Sequence, residues 1–363
     1  MSVYDRLDRA VLRGEAHLGR AGFAVLASLL WMGVAALCVR PGTRAVELGV
    51  YYAQLSVDPL GFHPSPVGYR ILTPLLSWAV GLRGEAILWT NLALATLLLF
   101  LVQLHFRRTA PRPADAPLAA GTLALSLVTL STVFSPTYCD PATYLAVFGM
   151  WWARRRPAVF HVCLLLGLLN RESILFLLPW FGWLVWREGG SWRAHAVGLV
   201  LVLGVYGGFR AFVASQSEVV FGLDYYLAPL REDPLQIFRR TWGRQWLGLY
   251  SVFGVLWAVP LGAALAMARR GDRAGLAGLV LVVACTWAQL FVAYDTSRMF
   301  TLAFPVMLLA LSDIHARDDL GLRRWLPALL VLQAIVPMVR TAQQRVWTME
   351  SPWRDALLGA LGF

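Results

Sequence analysis

The sequence predicts an all-α fold, a polytopic bundle of transmembrane helices. Of its 363 residues, 58% are hydrophobic and only 15% are charged, whereas soluble proteins carry about 25% charged residues. The mean hydropathy is +0.60, and apolar windows recur along nearly the whole length. We therefore expect one integral membrane domain, residues 21–340, between an amphipathic cytoplasmic segment, residues 1–20, and a C-terminal tail, residues 341–363.

Apolar runs separated by arginines predict about eleven helices, within a range of about nine to twelve, because about 20 apolar residues cross a bilayer. The predicted helices cover residues 21–39, 84–105, 118–134, 142–153, 158–169, 174–186, 194–214, 247–268, 274–293, 299–312 and 325–339. The three near the middle have only about 12 to 13 residues, which predicts that they are tilted or surround a wet cavity. Residues 157–186 could instead form one long helix, which would invert the topology of everything that follows.

The basic residues predict the orientation. All 32 are arginines, and they gather in the amino-terminal segment and in residues 107–112, 154–156, 187–193, 269–273 and 323–324. Under the eleven-helix count these six groups lie on one side, which the positive-inside rule makes cytoplasmic, with the amino terminus. Topology and anionic lipid headgroups account for the net charge of +11, so nucleic acid is not an expected partner.

The opposite face collects ionisable residues that topology does not explain. Its first loop, residues 40–83, contains Glu47, Tyr51, Asp58 and Arg70 and an apolar stretch too short to span, which predicts an interfacial helix. A carboxylate here could deprotonate an acceptor hydroxyl; the alternative is an ordinary solvated loop. A divalent cation held by His63 and nearby acids is a further candidate, and no other cofactor is expected. A second, larger outer loop covers residues 215–246.

Arg171 and Glu172 lie inside an apolar run, where ionised groups are costly unless they are paired or hydrated. Neighbours on a helix point about 100° apart, so the two side chains must face different partners. The planar fork of an arginine suits two phosphate oxygens. The alternative is that Arg171 pairs with Asp140 or Asp295 and joins helices.

Three further site candidates share this face. Tyr138 and Asp140 lie in the tip SPTYCD, where a following proline favours Asp140 as a helix cap. Asp295 and Arg298 are three residues apart, which suits either a capping ion pair or a phosphate site that Arg298 neutralises while Asp295 orients the leaving group. With Arg171 they predict a basic pocket at the outer surface.

Four short stretches carry a family resemblance. ELGVYYA at 47–53, YRILTPLL at 69–76, LLNRES at 168–173 and YDTSRMFTLAFP at 294–305 resemble small bacterial members of the GT-C superfamily, integral membrane glycosyltransferases that use polyprenyl-phosphate sugars. The resemblance covers most of the chain in helix order. It implies a multi-pass protein of the bacterial inner (plasma) membrane, whose partners are the lipid bilayer and a polyprenyl-phosphate-linked sugar.

The resemblance also implies residue roles. In that superfamily an acidic residue of the first outer loop commonly acts as the base, and the corresponding residue is Glu47, followed by Tyr51 and Tyr52. Glutamate stands where aspartate is usual, so Asp58 and Asp140 remain alternatives. The base would activate an acceptor hydroxyl for attack on the anomeric carbon, and arginines would stabilise the departing phosphate.

Two other classes of protein fit the same features. A carrier or flippase for an anionic lipid or a small anion also needs buried charges, short helices and a polar cavity. A non-catalytic membrane assembly subunit needs only the ion pairs. Transport predicts access from both faces, whereas transfer needs an outer opening and a carboxylate that faces the cavity.

Overall fold

A computed structural model describes residues 3–61, 67–216, 233, 235–292, 295–342, 345–351, 353 and 356. The α-helices of this part are α1 (Val3–Cys38), α2 (Leu48–Val57), α3 (Leu72–Ala79), α4 (Ile87–Thr109), α5 (Asp115–Ala124), α6 (Leu127–Phe134), α7 (Asp140–Trp152), α8 (Pro157–Asn170), α9 (Leu178–Arg187), α10 (Trp192–Ser215), α11 (Gln236–Phe253), α12 (Ala258–Arg270), α13 (Arg273–Ala288), α14 (Thr296–Phe300), α15 (Pro305–Arg317) and α16 (Leu326–Ile335). The chain is therefore predominantly α-helical, as predicted.

Near its end the chain forms a small antiparallel hairpin of β1 (Val339–Ala342) and β2 (Arg345–Thr348). The sequence predicted a helix over residues 325–339, which is wrong at its carboxyl end. Helix α16 ends at Ile335 because Val336 is extended, with φ −68° and ψ 130°, and a proline follows it. The residue before a proline avoids helical backbone, so the chain leaves the helix in time to form β1.

Six helices of the described chain are long and apolar enough to cross a membrane, or seven if α5 and α6, bent by 51°, form one span. This supports a multi-pass helical membrane protein, whereas the predicted count of about eleven is not confirmed. The reason is length: α7 has 13 residues and α8 has 14, which at 1.5 Å per residue is roughly 20 Å, against about 30 Å of hydrocarbon.

Helix α10 illustrates the contact with lipid. Its apolar residues Val200, Leu201 and Val205 are 70%, 64% and 59% exposed, although soluble proteins seldom expose contiguous apolar surface. A whole helix of this composition therefore faces the bilayer, while the interior of the bundle holds fully buried side chains such as Trp180 and Phe304.

The chain turns back between α8 and α9, so residues 157–186 are not one helix. The backbone of Arg171 is extended, with φ −163° and ψ 118°, and a 3-10 turn follows it. Asn170 fixes this turn: its Nδ2 donates to the carbonyl oxygen of Cys139 at 2.5 Å and to Thr143 Oγ1 at 2.7 Å, and its Oδ1 accepts from Thr73 Oγ1 at 2.7 Å. One amide thereby joins α3, α7 and α8.

The six arginine groups meet at one end of the bundle, which we call the arginine end. Ion pairs join them directly: Arg112 to Asp5 and Asp8, Arg107 to Glu15, Arg154 and Arg155 to Glu188, Arg187 to Asp272, Arg270 to Asp313 and Asp319, and Arg323 to Asp115. A shared recess brings residue 108 beside residues 154–156. The geometry confirms the prediction that the groups share one side.

Candidate functional site

The opposite end of the bundle contains five charged side chains that contact one another: Asp140, Arg171, Asp295, Arg298 and Arg340. We call them the charged cluster. Asp140 is the first residue of α7 and Arg171 directly follows α8, while Asp295 caps α14 by accepting from the backbone nitrogen of Arg298. Residues from four separate stretches of the sequence therefore meet where α7 and α14 begin and α8 ends.

Asp140 is the centre of the cluster. Its carboxylate accepts from Arg171 Nη1 at 2.7 Å and from Arg298 Nε and Nη2 at 2.8 Å and 2.9 Å, and all three side chains are at most 5% exposed. Burial opposes ionisation of Asp140, but Arg298 and then Arg171 outweigh it and hold the pKa of the carboxyl well below its usual range. Asp140 is therefore a fixed anion and a poor proton acceptor.

This geometry corrects two sequence-based expectations about Asp140. The cap position of α7 belongs to Cys139, and no side-chain hydrogen bond caps that helix. The carboxylate of Asp140 accepts hydrogen bonds from two guanidiniums. The geometry therefore supports neither a helix-capping role for Asp140 nor a role as the catalytic base. Arg171 forms an ion pair with Asp140 between helices, which is one of the two alternatives that the sequence left open for this residue.

The charged cluster contains three arginines and two aspartates. Asp295 accepts from Arg298 Nη1 at 3.2 Å and lies 3.6 Å from Arg340 Nη2. Three guanidiniums thus meet two carboxylates within the cluster, in surroundings where a charge is costly unless it is neutralised. The side chain of Asp295 is 22% exposed while that of Arg340 is 7% exposed, so the open side of the cluster lies at Asp295.

Tyr138 connects the cluster to Glu47. Its ring lies 4.1 Å from the guanidinium carbon of Arg298 and 5.3 Å from that of Arg340, within range of cation–π attraction. Its hydroxyl donates to Glu47 Oε2 at 2.7 Å. Burial raises the pKa of Tyr138, and the nearby Arg298 opposes this effect. The hydrogen bond to Glu47 raises it further, and the resulting pKa is about 12. Tyr138 therefore stays protonated and holds the carboxylate of Glu47 beside the arginines.

Glu47 has an unusual backbone. It is exposed and has φ 48° and ψ −123°, a region that glycine normally occupies. Such a conformation costs on the order of 1–3 kcal/mol in a residue with a side chain. Glu47 stands at the cap position of α2, yet its side chain makes no capping hydrogen bond. Its carboxylate accepts from the hydroxyl of Tyr138 instead.

A second ion pair lies beside the cluster. Arg70 Nε and Nη2 donate to Glu172 Oε2 and Oε1 at 3.3 Å and 2.9 Å, and Arg70 Nη1 donates to the hydroxyl of Tyr52 at 2.9 Å. Arg171 and Glu172 thus face different partners, as predicted. Burial opposes ionisation of Glu172, but Arg70 outweighs it and holds the pKa of the carboxyl at about 2. The rings of Tyr52 and Tyr138 meet edge to face, 6.5 Å apart, which connects the two groups.

Two predicted residues are not brought to the cluster by the contacts of the described chain. Tyr51 lies on α2 and is 43% exposed. Asp58 is the residue at the carboxyl end of α2, and the length of that helix, roughly 15 Å, separates it from Glu47. Among the three carboxylates predicted as the base, only Glu47 is both exposed and in contact with the cluster through Tyr138.

The predicted divalent cation gains no support from the described residues. Within them, no group of three or more histidine, cysteine, aspartate or glutamate side chains is arranged to hold a metal ion. His63 lies outside the described residues, as does most of the second predicted outer loop, residues 215–246.

Sequence reasoning missed Arg340 and underrated Tyr52. Arg340 lies on β1, and its Nη1 donates to Ser135 Oγ at 3.2 Å. The hairpin is anchored next to it, because the backbone nitrogen of Thr341 donates to Ser297 Oγ at 2.7 Å. A lone arginine after a predicted final helix is the only signal that the sequence offers.

An apolar groove of about 700 Å³ lies between α11, α12 and α13. Its lining includes Trp246, Tyr250 and Trp287 near one end and Leu261 farther along. Ser251 of α11 lies 3.2 Å, oxygen to oxygen, from Ser297, the neighbour of Arg298. The same helix therefore borders the groove and contacts the segment that carries Arg298.

Neither a known family model nor a curated protein matches the sequence. Fold and site together define a helical, multi-pass membrane protein with a buried cluster of three arginines and two aspartates at one end and an exposed carboxylate beside it.

Proposed function

We propose that the protein is a membrane glycosyltransferase that transfers a sugar from a polyprenyl-phosphate donor to an extracytoplasmic acceptor. The observation that carries this proposal is the exposed carboxylate of Glu47, linked by Tyr138 to the guanidiniums of Arg298 and Arg340. Sugar transfer from a lipid phosphate requires a base and an anion site side by side. The resemblance to GT-C glycosyltransferases, carried by short motifs that include Glu47 and Arg298, agrees with this assignment.

In the proposed reaction Glu47 accepts the proton of the acceptor hydroxyl as its oxygen attacks the anomeric carbon of the sugar. The bond between that carbon and the phosphate oxygen breaks, and the polyprenyl phosphate leaves with the electron pair. The positive charge of Arg298 and Arg340 stabilises the phosphate as its charge develops. Tyr138 holds the carboxylate in place from the side opposite the acceptor.

The apolar groove supports a lipid-linked donor. Its residues Leu261 and Val280 are 64% and 59% exposed, so the groove opens toward the bilayer, where a polyprenyl chain is dissolved. Under this proposal the phosphate end of the chain would lie toward the segment of Ser297 and Arg298, which contacts α11 through Ser251.

The distribution of arginines supports an extracytoplasmic site. The charged cluster and the arginine end lie at opposite ends of α7, because Asp140 begins that helix and Arg154 follows it. If the positive-inside rule applies to the arginine end, the amino terminus is cytoplasmic and Glu47 faces outward. This arrangement suits an enzyme of the bacterial inner membrane that meets its acceptor outside.

A non-catalytic assembly subunit is the second candidate, and one observation favours it. Asp140 is saturated by two guanidiniums, and a buried ion network of this kind can serve solely to join helices. Below the cluster the hydroxyl of Tyr144 donates to Thr301 Oγ1 at 2.7 Å, and its ring packs on Phe304 at 5.8 Å. These contacts fill the interior directly below the cluster.

The test uses the purified full chain with radiolabelled polyprenyl-phosphate sugars and a panel of acceptors. We expect Glu47→Gln to lower transfer about 100-fold or more, as expected for loss of a general base, while donor binding is retained. Asp58→Asn is the matched control, a carboxylate of the same loop, and should leave the rate unchanged. Unchanged transfer by Glu47→Gln would refute the assigned base. Donor binding by wild type without transfer to any acceptor would favour the assembly subunit or carrier.

A further inference from the structure

A second polar recess lies at the arginine end, away from the charged cluster. It has a volume of about 350 Å³ and lies where α4 and α7 end, lined by His105, Arg108, Thr109, Trp152, Arg154, Arg155 and Arg156. The 13 residues of α7, roughly 20 Å, separate it from Asp140. The function proposed above makes no use of this recess.

The recess is strongly positive. Arg154 and Arg155 both donate to the carboxylate of Glu188, at 2.6 Å and 2.7 Å, whereas no ion pair of Arg108 or Arg156 is present among the described residues. Four guanidiniums against one carboxylate leave three positive charges. The carboxyl ends of two helices oppose an anion here with roughly half a charge each, which the guanidiniums outweigh.

Arg154 and Arg156 contact neighbouring tryptophans in the absence of any ligand. Arg154 Nη1 donates to the carbonyl oxygen of Trp151 at 2.7 Å, and its guanidinium carbon lies 5.3 Å from the Trp151 ring centroid. The guanidinium carbon of Arg156 lies 5.7 Å from the ring of Trp152, which is 47% exposed. The ring of His105 packs on Trp151, 4.6 Å between centroids. Fixed guanidiniums lose little entropy on binding an oxyanion.

We propose that this recess binds the phosphate group of an anionic phospholipid headgroup. The planar donor forks of the arginines suit the oxygens of a phosphodiester. A lipid is favoured over soluble phosphate because the recess lies at the end of α4, which is long enough to cross a membrane, and has an exposed tryptophan at its rim, the residue typical of the membrane–water interface. Basic pockets between helices at a membrane surface take anionic headgroups.

The experiment titrates the purified full chain in detergent with phosphatidylglycerol and measures bound lipid by native mass spectrometry. The recess variant is Arg108→Gln with Arg156→Gln, which keeps the ion pairs of Glu188 intact. The control is Arg9→Gln with Arg13→Gln, two exposed arginines of the same end. We expect the recess variant to lose roughly tenfold or more in affinity for phosphatidylglycerol and the control to lose little.

Three results would overturn the proposal. If both double variants lose the same affinity for phosphatidylglycerol, the lipid is attracted by the general positive charge of this end and not by the recess. Equal binding of phosphatidylcholine, which has no net charge, would remove the need for an anion. Displacement of the lipid by inorganic phosphate at equal concentration would make the ligand a soluble anion.

A measurement on the wild-type chain keeps the proposal testable if the recess variant does not fold. A photoreactive phosphatidylglycerol is crosslinked to the protein, and the labelled peptides are mapped. Labelling of residues 105–109 or 152–156 supports the site, and labelling only elsewhere refutes it.

Discussion

Arg298 donates two parallel hydrogen bonds to the carboxylate of Asp140, from Nε at 2.8 Å and from Nη2 at 2.9 Å. The two residues are 158 positions apart in the sequence. Both side chains are 5% exposed. Arg171 approaches the same carboxylate from a third segment. The start of α7, the end of α8 and α14 therefore share one anion, and the position of Tyr138 above Arg298 depends on that anion.

Asp140→Asn should destabilise the protein by about 3–5 kcal/mol, because it leaves two buried guanidiniums without their shared anion. Unfolding in detergent, followed by heating or by denaturant, measures the difference. Asp295→Asn is the control: its side chain is 22% exposed, and Arg298 keeps its two hydrogen bonds to Asp140 in this variant, so the loss should be clearly smaller. Equal losses would mean that Asp140 is not the centre of the network.

The contribution of Glu172 to stability should depend on pH. Its folded-state pKa of about 2 lies below the ordinary value of 4.5, so its stabilising effect is complete above about pH 5.5, shrinks below about pH 4.5 and is lost as pH falls through about 2. The difference in melting temperature between wild type and Glu172→Gln should therefore be constant from about pH 8 to 5.5 and narrow at lower pH. A difference that instead grows on acidification would contradict the Arg70 pairing.

Glu47→Gly should be more stable than Glu47→Ala by about 1 kcal/mol, because only glycine adopts a positive φ without strain. Both variants lose the hydrogen bond to Tyr138, so their difference isolates the backbone contribution. Unfolding of the two variants side by side measures it. If alanine proves as stable as glycine, the backbone of Glu47 is not strained in solution. Under the proposed function, both variants should lose transfer activity.

Gly49→Ala should displace Tyr138 from Glu47, although Gly49 itself does not belong to the charged cluster. A Cβ atom at this position would collide with Thr137 Oγ1 and lie 2.9 Å from Thr137 Cβ, so the neighbouring Tyr138 must shift away from Glu47. We expect lower stability by about 1–3 kcal/mol, the usual cost of overpacking, together with weaker transfer. Gly33→Ala is the matched control, since a Cβ there meets nothing within 4 Å. Unfolding and transfer assays on both variants measure the difference. If Gly49→Ala and Gly33→Ala have the same stability and activity, the predicted collision with Thr137 does not occur.

Composition and arginine placement were sufficient to predict the helical membrane fold and the gathering of six arginine groups at one end. The pairing of Arg171 with Asp140 was also foreseeable as an alternative, because a buried guanidinium must find one of few carboxylates. The number of membrane-spanning helices could not be predicted, because hydrophobic periodicity does not distinguish a short buried helix from one that spans the membrane. Helices α7 and α8 are apolar in sequence yet too short to count.

Arg340 and Tyr52 escaped prediction for a different physical reason. Arg340 reaches the cluster only because the hairpin docks on Ser297, a tertiary contact between distant segments. Tyr52 and Tyr51 are neighbours of the same type on one helix, and only packing decides that Tyr52 is buried and Tyr51 exposed. Tertiary contacts of this kind leave no local signal in the chain.

The shortness of α8 has a mechanical consequence for the surrounding lipid. Its 14 residues fall roughly 10 Å short of an ordinary hydrocarbon layer, and Val162 and Leu166 on its outer side are 57% and 40% exposed to that layer. The bilayer meets such a mismatch by thinning locally. A membrane around this chain should therefore be thinnest beside α8, with its headgroups nearest in depth to Arg171 at the end of that helix.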